Sequence, residues 1–148
     1  MAMTATETAS KTKTLRDPRV VLPVLWVFAV LNYLYCDVLG LMHAPELQGF
    51  LDGAAGGLKI TTGFLLGAGV LMEIPIAMVL VARLAPDRVA RPASIVAGAV
   101  MTLVQLGSLG FGSDVTPHYL FFSAVEVAAT IAIVRIAWTW RPEAASHD

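Results

Sequence analysis

The sequence is poor in charged residues and in cysteine, and both shortages narrow the class of protein. Charged residues make up 14% of the 148 residues, against roughly 25% in soluble domains, and 57% are hydrophobic. A chain with so little charge needs lipid as its solvent. Its one cysteine, Cys36, excludes an internal disulfide and any motif built on a cysteine pair. The net charge of −1 offers nucleic acid no basic surface, so we expect no nucleic-acid partner.

Catalytic motifs are absent as well. The sequence contains no glycine-rich phosphate loop, no His-Glu-x-x-His zinc motif and no ordered Ser-His-Asp set within the apolar runs. His43 and His118 could supply metal ligands together with nearby acidic residues, but their spacing matches no known motif, and we interpret them as solvated loop residues. The sequence therefore predicts no catalytic residue, no metal and no cofactor, and an enzyme has nothing in its favour.

Four long apolar runs dominate the chain, at residues 20–42, 60–82, 93–111 and 119–140. A helix needs roughly 20 residues to cross the hydrocarbon core, and each run is about that long. Helices satisfy their own backbone hydrogen bonds in lipid, and these runs lack the alternation of a transmembrane β-strand. We predict an all-α fold, a four-transmembrane-helix bundle over residues 19–141, with a disordered cytoplasmic tail at 1–18 and a short cytoplasmic tail at 142–148.

Basic residues determine the predicted orientation of the spans. They lie before span one, between spans two and three, and at the end of span four, at Lys11, Lys13, Arg16, Arg19, Arg83, Arg88, Arg91, Arg135 and Arg141. By the positive-inside rule, both termini and the middle loop are cytoplasmic. Pro86 and Pro92 predict a short turn over Ala85–Pro92, and the glycine-rich outer segment has room for a short interfacial helix around Pro45–Leu51.

An acidic residue lies deep within the second and the fourth span. Counting ~1.5 Å per residue from the cytoplasmic face, Glu73 lies ~15 Å up, Asn32 and Gln105 ~18 Å, and Glu126 ~20 Å, with Asp37 about one turn further out. An intramembrane acid is costly and marks a functional site by default. We therefore predict one polar cluster inside the bundle.

Helical spacing predicts which faces of spans three and four contribute to this cluster. Ser123, Glu126 and Thr130 share a stripe on span four, and Thr102, Gln105 and Ser108 share a stripe on span three. Tyr33 lies on the outer half of span one. The ligand- or proton-binding residues that we predict are Glu73, Glu126, Asn32, Gln105, Tyr33 and Asp37.

The polar residues admit a second interpretation. A neutral carboxyl can donate a hydrogen bond to Asn32, Gln105 or a backbone carbonyl, and so join helices without any ligand. For Asn32 and Gln105 alone, such interhelical bonding is the better interpretation. The segments Met72–Pro75 and Val125–Ala128 also match each other, and each precedes an arginine, which indicates a duplicated helical hairpin.

Three segments carry a resemblance to a known family: Leu31–Val38, Met72–Met78, and Tyr119–Phe122 with Glu126. Over roughly residues 17–141 the chain resembles a bacterial family of small four-pass membrane proteins of unknown function. The resemblance implies a multi-pass protein of the bacterial cytoplasmic (inner) membrane and implies no activity. The layout of the spans, with acids in the second and fourth, is more faintly similar to DoxX-type membrane proteins, from which no residue role is carried over.

Two functions fit these observations. The first is a proton-linked carrier or small-ligand-binding protein that uses Glu73 and Glu126, with a small molecule or a lipid as its ligand. Because four spans are few for one transport pathway, we expect a homodimer in the lipid bilayer. The second is a structural or accessory subunit of a larger membrane complex, in which the acids join helices and the Gly63 and Gly67 pair contacts a partner.

Overall fold

The computed structural model describes residues 17–111 and 115–141, and its long helices lie close to the predicted spans. The helices are α1 (Pro18–Met42), α2 (Ala44–Leu51), α3 (Thr62–Leu84), α4 (Asp87–Phe111) and α5 (Pro117–Thr139), and the strands are β1 (Ala54–Ala55) and β2 (Leu58–Lys59). All four long helices are long and apolar enough to cross a membrane. The chain is therefore a multi-pass membrane protein. Residues 1–16 and 142–148 of the predicted tails lie outside the described residues.

The four long helices pack as a ring, which confirms the predicted all-α bundle. Helix α1 contacts α3 and α5, and α4 contacts α5 and α3, with the largest interface between α4 and α5. Neither diagonal pair, α1 with α4 or α3 with α5, makes a substantial contact. Each helix thus has two neighbours, so a side chain can be buried only if it points toward one of them or toward the central axis.

Local sequence signals explain where the helices begin. Asp17 caps α1 by accepting a hydrogen bond from the backbone N–H of Arg19 at 2.9 Å, and Pro18 occupies the first turn, where its missing N–H has no cost. Thr61 caps α3 in the same way through the N–H of Phe64, at 3.1 Å. Pro117 occupies the first turn of α5.

The connection between α1 and α3 is ordered. Helix α2 confirms the short helix that the sequence predicts around Pro45–Leu51, and the glycine-rich stretch after it closes as an antiparallel pair of two-residue strands. Gly56 and Gly57 at the tip have φ angles of 53° and 81°. Two successive residues with positive φ are what a tight hairpin requires, and glycine adopts them without strain.

The connection between α3 and α4 is shorter than predicted. The expected turn over Ala85–Pro92 is wrong, because α4 begins at Asp87 and contains Pro92 within its helical run. The N–H groups of Val89 and Ala90 both donate to the carbonyl of Pro86, at 2.8 and 3.0 Å, which starts the helix at once. Membrane helices tolerate an internal proline, so Pro92 does not end this one.

Most of the apolar core lies in the half of the bundle that is predicted to face the cytoplasm, and Tyr33 and Met101 extend it beyond mid-membrane. Its buried members come from all four long helices and include Leu22, Trp26, Met78, Ala82, Ala90, Ala97, Ile133 and Ala137. Toward the predicted outer side, by contrast, α3 is uncovered: its cap Thr61 and every following residue up to Val70 are exposed. The buried side chains of that outer half come instead from the interfaces that α5 makes with α1 and α4.

Candidate functional site

A row of hydrogen-bonded polar side chains, here called the ladder, joins α4 to α5. Its pairs are Thr102 with Thr130, Gln105 with Ser123, and Ser108 with Tyr119. Gly98 brings the helices together, since a Cβ added there would lie 2.7 Å from Cγ2 of Val134 and 3.4 Å from the Thr130 carbonyl oxygen. One turn further along, the hydroxyls of Thr102 and Thr130 lie 2.7 Å apart in a hydrogen bond. The Thr130 hydroxyl also lies 3.0 Å from the carbonyl oxygen of Glu126. The seam thus fixes the backbone that carries Glu126.

Two further hydrogen bonds extend the ladder toward the predicted outer side. Nε2 of Gln105 donates to Oγ of Ser123 at 2.7 Å, and both side chains are buried. The Tyr119 hydroxyl donates to Oγ of Ser108 at 2.6 Å, and Ser108 in turn donates to the Gln105 carbonyl at 2.7 Å. The two polar stripes inferred from helical spacing therefore face each other, and the Gln105 amide bonds across the seam.

The Glu126 side chain lies beside this ladder, whereas only the backbone carbonyl of Glu126 takes part in its hydrogen bonding. Its side chain is 1% exposed, and its Oε1 has no hydrogen-bond partner among the described residues. Tyr33 of α1 is 8% exposed, and its hydroxyl also has no partner in the described part of the chain. Tyr33, Cys36 and Asp37 all lie within electrostatic range of the Glu126 carboxyl. The interface between α1 and α5 thus holds two buried polar groups with unused hydrogen-bonding capacity.

The structure places the other predicted residues of α1 less centrally. Asn32 is half-buried, and its Nδ2 donates at 2.8 Å to the carbonyl of Phe28 on its own helix. Asp37 is exposed, although it lies near Glu126 on the outer side. Tyr33 and Asp37 thus lie on the helix that packs against the one carrying Glu126, and Gln105 lies on the interface between α4 and α5. The Asn32 amide is satisfied within its own helix.

Glu73 lies apart from this group. Its side chain is exposed, and α3 makes no substantial contact with α5, so within the single chain Glu73 does not lie in a buried cluster with Glu126. The physical reason is rotation along the helix. Pro75 is buried toward the bundle, and a residue two positions away on a helix is turned by about 200° from it. Because Pro75 faces the bundle, Glu73 faces away from it.

Two histidines that lie far apart in the sequence meet at the predicted outer face. The rings of His43 and His118 are 6.0 Å apart, and Oε1 of Glu46 lies 3.5 Å from Nδ1 of His43 and 3.9 Å from Nε2 of His118. The Thr116 hydroxyl lies 3.3 Å from the same His118 nitrogen. Within residues 17–111 and 115–141, no group of three histidine, cysteine or acidic side chains has the geometry to hold a metal ion. The contact links the start of α2 to the start of α5, and spacing alone gave no sign of it.

The comparison with known proteins places the chain in a family. Residues 13–146 match a family of unknown function, DUF6326. The chain belongs to this family. The DUF6326 match covers all four long helices and both acids, and it agrees with the resemblance to an uncharacterised family stated above. No curated protein and no solved structure matches the chain, so neither an activity nor the fainter DoxX likeness gains support.

Proposed function

We propose that this DUF6326 protein binds a small ligand or a proton at Glu126, between α1 and α5, and acts as a proton-linked carrier or ligand-binding protein. The observation that carries the proposal is the Glu126 carboxyl, which is 1% exposed and whose Oε1 has no partner among the described residues. A buried polar atom without a hydrogen bond costs about 1–3 kcal/mol. Such a cost is commonly retained at a site that does chemistry or binding.

The neighbouring groups define the chemistry of the ligand. The Tyr33 hydroxyl can donate and accept, and the Glu126 carboxyl can accept, or donate once protonated. A ligand with a small polar head that donates a hydrogen bond, such as an amine or a hydroxyl, complements this pair. The apolar surroundings, including Cys36 and Ala129, suit a ligand whose remainder is hydrophobic.

The ladder between α4 and α5 supports such a site because it fixes the position of α5, which carries Glu126. Its hydrogen bonds between Thr102 and Thr130 and between Gln105 and Ser123 flank Glu126 along α5. A proton or ligand then approaches from the α1 side. Asp37, exposed and about one turn nearer the predicted outer surface than Tyr33, is the first acid on that route. The positive-inside pattern supports the placement of Asp37 toward the outer side, and the bacterial resemblance supports a bacterial inner membrane.

Proton flux in proteoliposomes tests this function. We expect Glu126→Gln, which keeps the shape of the side chain and removes its charge, to abolish pH-driven dye response. Glu73→Gln is the matched control, because it makes the same change on an exposed acid of similar depth. If Glu126→Gln transports protons and binds ligands from a metabolite and lipid screen as the wild type does, the proposal is wrong.

A second function, as one subunit of an assembly, is favoured by the exposed part of α3. From Thr61 to Val70 nothing in the described chain covers this helix. A Cβ added at Gly67 would meet nothing within 4 Å, and one added at Gly63 would meet only the Thr61 hydroxyl of its own helix cap, at 3.8 Å. Small residues four apart allow close helix approach in lipid. A second copy of the chain, giving the expected homodimer, or a larger membrane complex would cover this surface. Crosslinking of a Gly67→Cys variant in the membrane separates these cases by the mass of the product, and a monomer throughout counts against both.

A further inference from the structure

An open cleft of about 340 Å³ lies at the predicted cytoplasmic end of the bundle, far along the helices from Glu126. It is lined by Asp87, Arg88, Arg91, Pro92, Ile95 and Trp138. All but Trp138 come from the first turns of α4, while Trp138 comes from the last turn of α5. The cleft therefore opens where the N-terminus of one helix meets the C-terminus of its neighbour.

The charges around this cleft leave a positive excess. Asp87 forms an ion pair with Arg19, so its negative charge is neutralised from α1. Arg91 donates from Nε and Nη2 to the carbonyls of Ala137 and Trp138, both at 3.1 Å, which uses two of its five N–H groups. Arg88 is exposed and forms no ion pair with any described residue. Two guanidinium groups thus face one opening with donors to spare.

The cleft also runs from polar to apolar along its length. Asp87, Arg91 and Ile95 follow one another at intervals of four residues, so they share one face of α4. Ile95 lies ~12 Å deeper in the membrane than Asp87, at ~1.5 Å per residue. Trp138 is 67% exposed beside the arginines, as expected of an aromatic residue at the membrane interface. Charged donors at headgroup level and apolar side chains below them match the two parts of a phospholipid.

We propose that this cleft binds an anionic phospholipid, with its phosphate at Arg88 and Arg91 and the start of its acyl chains against Pro92 and Ile95. Basic pockets between transmembrane helices on the cytoplasmic side are suited to such headgroups. The phosphate could also be recognised as a free anion, but inorganic phosphate has no part that would use the apolar floor. The bound lipid would cover the joint between α4 and α5 from the cytoplasmic side.

Native mass spectrometry of the purified protein tests the proposal, with phosphatidylglycerol and phosphatidylcholine of identical acyl chains as probes. We expect tighter binding of phosphatidylglycerol, and an affinity for it about fivefold weaker in Arg88→Gln. Arg83→Gln is the matched control, since Arg83 is an exposed arginine in the last turn of α3, at the same end of the bundle but outside the cleft. Arg88 forms no ion pair with a described residue, so its variant should keep the fold, which circular dichroism checks.

Three results would overturn the proposal. One is equal binding of the two lipids, and another is an equal loss of affinity in Arg83→Gln and Arg88→Gln. The third is displacement of phosphatidylglycerol by excess inorganic phosphate, which would assign the cleft to a free anion. An Ile95→Trp variant adds an independent check, because filling the apolar floor should weaken phosphatidylglycerol binding without changing any charge.

Discussion

Helices α3 and α5 run in the same predicted direction, and each carries a glutamate near mid-membrane, yet their surroundings differ. In α5 the buried residues extend from Ser123 to Ala137, across both halves of the helix. In α3 they are confined to Pro75, Met78 and Ala82 in the predicted cytoplasmic half. Within an 18-residue apolar stretch of each helix, 33% of α5 and 11% of α3 is buried, although α3 has the higher mean hydropathy.

This difference shows that hydropathy does not decide burial in a membrane. Lipid tails are as apolar as a leucine-rich core, so helices associate through close packing and hydrogen bonds. Helix α5 has both, because Gly98 of α4 admits it closely and the Gln105 amide bonds to Ser123. The glycines of α3 at 67 and 69 meet nothing within 4 Å. The predicted duplicated hairpin thus has two acids in unequal environments, one buried and one exposed.

The largest expected effect comes from comparing Gly98 of α4, which packs against α5, with Gly67 of α3. Gly98→Leu should destabilise the bundle by about 3 kcal/mol or prevent folding, because Val134 and the α5 backbone leave no room for a side chain. Gly67→Leu should change the free energy of unfolding by less than about 0.5 kcal/mol, since its surroundings are open. Equilibrium unfolding in mixed SDS micelles measures both. Equal losses would mean that α3 is covered in the native assembly.

The two acids should differ next. Glu126→Ala leaves a cavity at a side chain that is 1% exposed, which costs about 2–5 kcal/mol. It also removes the partnerless Oε1, which offsets about 1–3 kcal/mol of that cost, so we expect a net loss of about 1–2 kcal/mol. Glu73→Ala should stay within about 0.5 kcal/mol of the wild type, because that side chain is exposed. Thermal unfolding followed by circular dichroism compares them. A larger loss at Glu73 would contradict the contrast between the helices.

A smaller effect is expected from the hydrogen bond between Gln105 and Ser123. A double-mutant cycle with Gln105→Ala and Ser123→Ala should give a coupling free energy of about 0.6 kcal/mol, the usual value between membrane helices. The cycle of Asn32→Ala with Ser123→Ala should give none, because Asn32 bonds to Phe28 of its own helix. Coupling in both cycles would show that one network joins α1 to the ladder.

The smallest effect is expected at the ion pair between Arg19 and Asp87. Both side chains are partly exposed, so Arg19→Gln should cost about 0.2–1 kcal/mol, and less at high salt. Arg83→Gln, which removes a charge from α3 at the same end of the bundle, should cost nothing measurable. Unfolding at low and high ionic strength distinguishes them. A salt-independent loss at Arg19 would point to its contact with the Trp140 ring, 5.9 Å away.

Much of this architecture could be predicted because hydropathy and helical periodicity act locally. The spans and the facing stripes with Gln105 and Ser123 follow from them, while α2 is predicted from the length of the outer segment. The orientation of Glu73 could not be predicted from depth alone, because its exposure depends on which face of α3 packs against α1 and α4. The meeting of His43 with His118 depends in turn on the path of the α1–α3 connection.

The small buried surface of α3 also bears on how the protein enters the membrane. A helix that buries little of its surface must partition into lipid on its own apolar content, and α3 is the most hydropathic of the four long helices. Helix α4 is the least hydropathic, and only Ala85 and Pro86 separate it from the end of α3. We therefore expect α3 to leave the translocon readily and α4 to follow it as the second arm of a helical hairpin. Lengthening that short connection should then impair insertion of α4 while sparing α3.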